Sequence, residues 1–543
     1  MHFAKGFLGL RASVVRYLLI LGVGAALAWV VWRRLPARQL ERRLAGRADR
    51  TAVALALAAG LVGVSLLGLR YATWHTHVFD LGSYDQKIWV ASVQEDLTGV
   101  IEQTYRGGER FSPCGATRYW GICHFQPLYV IYALAYRLWP SPLLLLWSQA
   151  LLVASGVIPC YLLTRKLLGS TAGVLGVMVY LLHPAVQFNA LLDFRPDHVA
   201  IPFLFWAFWL AERDRPGLAL FAAAIPALAK ESLIPVFAAF GLYLLARRRH
   251  VLLGAVAFTV GMAVFIVVVF GVLAGPGNSE GAFMIRRYLS GGRELVAPGL
   301  VAGKLFYLVS LFGPVAFLSW RDPVALLPAM PSLGIALLSN DVAHSSIESQ
   351  YTASVVAPAF AGLLTALTSL EARRNGAALR AMGALVTLSF AFSLGQGPTP
   401  LGLGFWNARW GHKWHFRNYM PDRQAALDES ARLIPDNPDV MIVSQNDVNS
   451  AALAHRHFYF PFPAGIDRAD YVLVDTGRRP FLYWIVRRDR EPYDRIVRQL
   501  REAPEYRIAF ERDGVVLFQR IGPSRPGVPD PERLPIRPEG LPK

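Results

Sequence analysis

The sequence predicts a polytopic α-helical membrane protein of about twelve transmembrane helices, followed by a small C-terminal extracytoplasmic α/β domain. Three observations predict it. Of 543 residues, 54% are hydrophobic and only 17% charged, against roughly 25% charged in soluble domains. The apolar residues gather in runs of the length that enters a bilayer as helix. The Arg and Lys residues fall in short clusters between those runs, and with twelve spans the clusters all land on one side. The net charge of +17 is therefore read as membrane topology and not as nucleic-acid binding, because basic residues confined to loops between spans are what insertion requires.

In chain order the candidate spans lie at about 15–32, 51–70, 142–163, 171–190, 199–211, 216–229, 232–246, 251–274, 300–319, 323–339, 351–369 and 377–395. Several are shorter than the roughly 20 residues of a straight span, so flanking polar residues must extend them or they pack inside the bundle. The first run is read as a retained helix and not a signal peptide, since it lacks a convincing small-residue cleavage site and is followed by a basic loop and a second span. The basic loops carry Arg33 to Arg50, Arg165 with Lys166, Arg213 with Arg215, Arg247 to Arg249, Arg321, and Arg373 with Arg374. They define the cytoplasmic side of the cell membrane. Loop 71–125, the turn at Asp193–His198, loops 275–299 and 340–350 and the tail then face outward, with Arg286, Arg287 and Arg293 as local exceptions to the charge rule. The apolar stretch 126–139 is expected along the membrane surface, because counting it as a span breaks the alternation of charge. Cys114 and Cys123 would face an oxidising compartment, either as a disulfide or as two free thiols.

Four regions follow: an extra helix and basic loop over 1–50, a membrane domain over 51–396 with its large first outer loop 71–125, an outer α/β domain over 397–522, and a Pro-rich tail expected to be disordered over 523–543. In the α/β domain a helix is expected over Asp422–Leu433, a strand over Val440–Ser444, a helix near Asp447–His455, a strand over Tyr471–Asp475 and a helix over Pro492–Arg501. A hairpin of Tyr506–Glu511 with Val515–Arg520 is expected across Arg512-Asp513-Gly514.

Chemistry is expected at the outer helix ends. Asp80 and Asp85 flank Gly82, a turn or helix start. One carboxylate there would act as general base on an acceptor hydroxyl, and the other would orient the acceptor or hold a divalent metal. The alternative is a helix cap with a solvated first-turn acid. His124 would contact a phosphate or metal, or serve structure only. In Asp193-Phe194-Arg195-Pro196-Asp197-His198, the fork of Arg195 suits phosphate, or else the turn only caps the next helix through Asp197. Lys230-Glu231 interrupts an apolar hairpin, so that Lys230 binds a lipid phosphate or snorkels to the headgroups. Asn340, Asp341, His344, Glu348 and Tyr351 form a weaker cluster. The chain has no phosphate-binding Gly-rich loop and no H-E-x-x-H; without the phosphate loop, a nucleotide-driven pump built from this chain alone is excluded. A carboxylate together with cations on one face suits transfer from an anionic lipid carrier.

Phe79-Asp80-Leu81-Gly82-x-x-Asp85-Gln86, His124-Phe125-x-Pro127, Gln149, the Asp193–His198 cluster and Lys230-Glu231 together resemble a domain-of-unknown-function family of predicted prokaryotic membrane proteins. That family is similar to the GT-C glycosyltransferase superfamily. The resemblance runs from about residue 70 through the tail. It implies a multi-span GT-C-like fold, a sugar donor carried on polyprenyl phosphate, and an acidic catalytic residue in the first outer loop at Asp80 or Asp85. The first span lies outside it, and the family commonly has His at the place of Arg195. The leading expectation is an inverting transferase that moves a sugar from a lipid phosphate to an extracytoplasmic acceptor. The competing classes are a transporter or flippase of lipid-linked or anionic cargo and a noncatalytic envelope assembly protein. The partners expected are the lipid-linked donor and membrane lipids, with no nucleic acid.

Overall fold

Among the described residues, six helices are long and apolar enough to cross a membrane by length and composition: Val15–Arg34, Ala48–Ala72, Pro142–Leu168, Val251–Gly271, Gln350–Arg373 and Ala377–Gln396. A seventh forms if the pair Ser170–Leu182 and Pro184–Leu191, bent by 59°, counts as one. This computed structural model describes residues 2–94, 125–248, 250–273, 298–339, 343–408, 414–456, 459–463, 465–466, 468–478 and 491–522. His124, Cys114, Cys123, Asn340, Asp341 and the Pro-rich segment 523–543 lie outside the described residues.

The runs expected over 171–190, 300–319 and 323–339 do not form single straight helices, and the breaks have local causes. Pro184 cannot donate to the preceding turn, so the chain leaves helix at His183 and restarts, with the His183 ring accepting from the Ala185 amide at 3.2 Å. Pro323, Pro328 and Pro331 break the run expected over 323–339 into 3₁₀ turns and the short helix Met330–Leu338. The run expected over 300–319 leaves α-helix at Phe312, ahead of Gly313-Pro314, and passes through left-handed Ala316 and Phe317. Helices Ile234–Ala246 and Val251–Ile266 cross where two glycines meet. A Cβ on Gly241 would stand 2.7 Å from the Gly254 carbonyl oxygen, a close approach that small residues permit between membrane helices. Val53, Leu57 and Leu61 form an exposed stripe one helical turn apart, as a face turned to lipid requires.

The C-terminal segment folds as a five-stranded mixed sheet in the order β2-β1-β3-β5-β4. The strands are β1 (Ile442–Ser444), β2 (Tyr459–Pro461), β3 (Tyr471–Asp475), β4 (Tyr506–Arg512) and β5 (Val515–Arg520). β1 is parallel to β2 and β3, and β5 is antiparallel to β3 and β4. The expected hairpin forms. Asp513 and Gly514 both take positive φ (52° and 86°), the combination a two-residue turn between twisted strands needs. Helices Gln424–Arg432 and Glu491–Glu502 match the sequence reading.

Two differences stand out. Strand β2 is not foreseen, and no helix covers Asp447–His455, where only a 3₁₀ turn at Ala451–Leu453 forms. Polar side chains there bond to backbone instead: the Ser444 hydroxyl donates to the Val448 carbonyl at 2.6 Å and the Ser450 hydroxyl accepts from the Ala452 amide at 3.3 Å. Such bonds compete with helix. Side chains alternate across the sheet. One face buries Val443, Val472, Val516 and Phe518 against the helix Glu491–Glu502. The other buries Ile442, Leu473 and Leu517 together with Leu427, Trp74 and Val78. Trp74 and Val78 come from the segment that follows the helix Ala48–Ala72, so that segment is part of the core of the C-terminal sheet.

Candidate functional site

The site begins where the helix Ala48–Ala72 ends. Trp74 turns the chain with a positive φ of 62°, a costly conformation for a bulky residue. It is held by its burial in the sheet core and by its indole, which donates to Asp428 at 2.8 Å. The chain then runs extended to His77, makes a single π-helical turn over Val78–Gly82, and continues as the helix Ser83–Gln94. Asp80 lies in the π turn and Asp85 in the first turn of the helix, and the two carboxylates have different partners.

Asp80 is ion-paired with Arg195, each about four-fifths buried. The Arg195 amide donates to the Gln149 side-chain oxygen at 2.8 Å, while the Gln149 amide group donates to the Leu192 carbonyl at 2.7 Å. One glutamine thus brackets the turn that carries Asp193, Arg195 and Asp197. Asp193 is fully enclosed. It accepts from Arg70 at 3.0 Å, from the His77 amide at 2.7 Å and from the His77 ring. Arg70 also donates to the Leu191 and His75 carbonyls at 2.7 and 3.2 Å. A buried carboxylate with three donors is neutralised and oriented, and here it ties the end of the helix Ala48–Ala72 to the Asp193 turn. Burial first, then the charges of Arg478 and Arg70, push the neighbouring His75 down to about 3 and keep its imidazole neutral.

His77, Asp80 and Asp193 bring one ligand atom each to within 4.8 Å of one another. One imidazole and two carboxylates suit a borderline divalent ion. Both carboxylates already face guanidinium groups, so a cation there would have to displace Arg70 or Arg195 from its partner.

The rest of the turn points to a second group of charges. Asp197 faces Lys230 at 3.9 Å, and the Lys230 ammonium lies 5.0 Å from the centre of the Tyr351 ring. His198 bonds through Nδ1 to the Arg195 carbonyl, and its buried Nε2 has no hydrogen-bond partner among the described residues. Burial pushes His198 down to about 4, against that hydrogen bond and the Asp197 charge. Glu231 accepts from the Phe125 amide at 2.9 Å and so ties Phe125 to the Lys230-Glu231 turn. His344 packs edge-on to Tyr351, its ring bonded to the Ser339 hydroxyl at 2.7 Å.

Asp85 turns the other way. Its carboxylate accepts from the Tyr136 hydroxyl at 3.0 Å and faces the His455 ring and amide at 3.3 Å each. The His455 ring stacks on Trp89, with centroids 5.5 Å apart. Asp85 therefore joins the helix Ser83–Gln94 to the C-terminal sheet segment.

Three contributors escape the sequence reading. Lys87 is half-buried and shares the Tyr84 ring with Arg195, their cationic centres 5.4 and 5.9 Å from its centroid. Burial first, then the charge of Arg195, lower its amine to about 7. It has no carboxylate partner among the described residues. Its one local signal is a cation two residues after Asp85. His455 and Asn446 are the others, each more than 350 residues from the acids in sequence. Asn446 accepts the Val78 amide on its carbonyl and the Phe79 amide on its side-chain oxygen, both at 2.8 Å.

The profile of a family described as predicted membrane protein (DUF2079) matches residues 70–517. No curated protein matches the chain. Among solved structures, it is similar to ArnT from Cupriavidus metallidurans bound to undecaprenyl phosphate, with a TM-score of 0.50 and 13% identity over 87% of this chain and 99% of that one. It is also similar to apo ArnT from the same organism, with a TM-score of 0.49 and 12% identity over the same shares. The fold described above is ArnT-like.

Proposed function

The chain belongs to the DUF2079 family of predicted membrane proteins, and on that premise we propose that it is a membrane glycosyltransferase that moves a sugar from a polyprenyl-phosphate carrier to an acceptor outside the cytoplasmic membrane. The observation that carries this reading is the pairing of Asp80 with Arg195, with the uncommitted Lys87 across the same Tyr84 ring, in a fold whose solved neighbour is described as bound to undecaprenyl phosphate.

The chemistry follows from partner exchange. A lipid-linked phosphate entering between Arg195 and Lys87 competes for the guanidinium that now holds Asp80. Asp80 is then free to take the proton of an acceptor hydroxyl. The acceptor oxygen forms a bond to the anomeric carbon as the bond from that carbon to the phosphate oxygen breaks. Polyprenyl phosphate leaves with the bonding pair, the proton resides on Asp80, and configuration inverts. The cations stabilise the charge that develops on the departing phosphate. Lys230 and Asp197 flank the same turn and extend the anion site. In this reading the twelve apolar segments are spans, the basic clusters are cytoplasmic, and the acid loop and the C-terminal sheet lie outside.

The test compares glycolipids and glycoproteins by mass spectrometry in wild type, a deletion strain, and the strain complemented with Asp80→Asn. Loss of one glycoconjugate on deletion, with no restoration by Asp80→Asn, supports the proposal. An unchanged profile on deletion sinks it.

A further inference from the structure

The first-turn amides of a helical segment lack partners within it and need acceptors from elsewhere. In the π turn that carries Asp80, the acceptor comes from the C-terminal sheet, 367 residues along the chain. Asn446 takes the Val78 amide on its carbonyl and the Phe79 amide on its side-chain oxygen, both at 2.8 Å. These are the two residues immediately before Asp80. Asn446 is itself buried, and the loop that holds it is braced. The Gln445 amide donates to the Leu473 carbonyl at 3.0 Å, and the Gln445 side-chain oxygen accepts from the Tyr493 hydroxyl at 2.7 Å and the Asp475 amide at 3.1 Å. Arg478 donates to the Asp447 carbonyl at 3.0 Å and the Trp74 carbonyl at 2.6 Å, pinning the loop and the acid segment together. Thr76 and Asn449 bridge the same seam, the Thr76 hydroxyl donating to the Asn449 carbonyl at 3.1 Å. On the far side of the turn, a Cβ on Gly82 would lie 3.3 Å from the Tyr459 ring of β2, so the glycine lets that strand sit directly against the turn.

We infer that Asn446 is a positioning residue: it caps the Asp80 turn from the C-terminal sheet, and that sheet sets the position of the carboxylate instead of merely covering the site. The inference rests on the proposed transfer reaction and deepens it. Asp80 sits in the opening turn of a helical segment, ahead of the helix Ser83–Gln94, where the first amides have no partner within the helix. A displacement of about 1 Å in such a group costs about 100-fold in rate, and precise sites depend on the shell behind them.

The test uses the full-length protein in lipid nanodiscs and in the complemented deletion strain, with Asn446→Ala, which removes the side-chain acceptor, and Asn446→Asp, which keeps an oxygen there. Three readouts are taken: amide hydrogen exchange at Val78 and Phe79, binding of undecaprenyl phosphate, and the glycoconjugate product. Expected for Asn446→Ala is exchange at Phe79 faster by about 10-fold, with β1, β3 and β5 unchanged. Undecaprenyl phosphate affinity stays at the wild-type level, and product formation falls about 100-fold. Asn446→Asp restores most of the product, with its pH profile displaced upward because an added negative charge raises the pKa of a nearby carboxylate. Wild-type product from Asn446→Ala overturns the inference. So does equal loss in both variants with exchange raised across the sheet, which marks a purely structural residue. Failure of the transferase reading is separately visible as an unchanged glycoconjugate profile on deletion or full product from Asp80→Asn, and the positioning role falls with it.

Discussion

The two ends of the helical bundle treat charge in opposite ways. At the end that carries the acid loop, two ion pairs are enclosed: the side chains of Arg70 and Asp193 are 3% and 1% exposed, and those of Lys230 and Asp197 are both 4%. At the basic end, Arg165 pairs with Asp49 at 48% and 66% exposure, His250 meets a largely exposed Asp214, and the Arg247–Asp322 pair is partly enclosed. Exposed pairs contribute about 0–1 kcal/mol. A buried pair that loses one member costs about 3–5 kcal/mol, because the survivor is left charged and unpaired. Charge at the basic end fits a role in orientation and solubility. Charge at the acid end is retained despite its desolvation cost, and that is the physical reason to place the chemistry there.

The largest effect expected is on Asp80→Asn. Removing the base lowers product formation by about 10²- to 10⁴-fold while leaving the melting temperature within a few degrees, since Asn still accepts from Arg195. Wild-type turnover from this variant, measured as glycoconjugate restored to the deletion strain, would break the distinction between the two ends. Asp193→Ala comes next. It strands Arg70 in a dry site, and a loss of about 3–5 kcal/mol is expected in denaturant unfolding of the purified protein. A loss below about 1 kcal/mol would place Asp193 among the exposed, weakly coupled pairs.

The sequence reading reaches what local pattern encodes. Apolar runs mark the helices because a helix satisfies its own backbone within lipid, and Pro184, Pro323 and Pro328 sit at the breaks. Asp513-Gly514 marks the hairpin because both residues take positive φ cheaply. Asp80, Asp193 and Arg195 lie close together. Asp85 and Glu231 are drawn to other partners, and no periodicity of 3.6 or 2 encodes a contact such as His455 to Asp85 or Asn446 to Phe79. Lys87 is invisible for a different reason: its lowered pKa comes from tertiary crowding and the proximity of Arg195. The missing helix at Asp447–His455 reflects side chains whose bonds to backbone outcompete helix.

Asp85 divides the acid end itself, since it faces the sheet and not Arg195. Asp85→Asn keeps an acceptor for Tyr136 and removes the charge opposite His455. The expected loss is about 1.5–3 kcal/mol in stability, with product reduced but not abolished. Equal abolition in Asp80→Asn and Asp85→Asn would show that both acids serve one site.

Lys87 gives a smaller, pH-dependent effect with a worked sign. Its amine is lowered to about 7 in the fold from an ordinary value of 10.5. Between those values the unfolded chain holds the extra proton, so the ligand-free protein gains stability as pH rises through about 7. A phosphate beside Lys87 favours the charged amine, so undecaprenyl phosphate affinity runs the other way and falls as pH rises from 6 to 9, by about 10-fold for one charge–phosphate contact. Lys87→Gln should bind weakly and nearly independently of pH over that range. A wild-type affinity that is flat with pH would remove Lys87 from the phosphate site.

The smallest effect is expected at the other end of the bundle. Arg165 donates to Asp49 at 2.8 Å, a good hydrogen bond by distance alone. Both side chains are about half exposed or more, so water solvates each partner nearly as well as the pair does, and salt screens what attraction remains. Arg165→Gln should therefore change unfolding free energy by less than about 1 kcal/mol, with the difference vanishing in about 1 M salt, where the screening length is about 3 Å. Product formation should match wild type. A loss of about 3 kcal/mol that persists in high salt would mean that this pair is coupled like Arg70 and Asp193, and burial would no longer separate the structural charges from those that act on substrate.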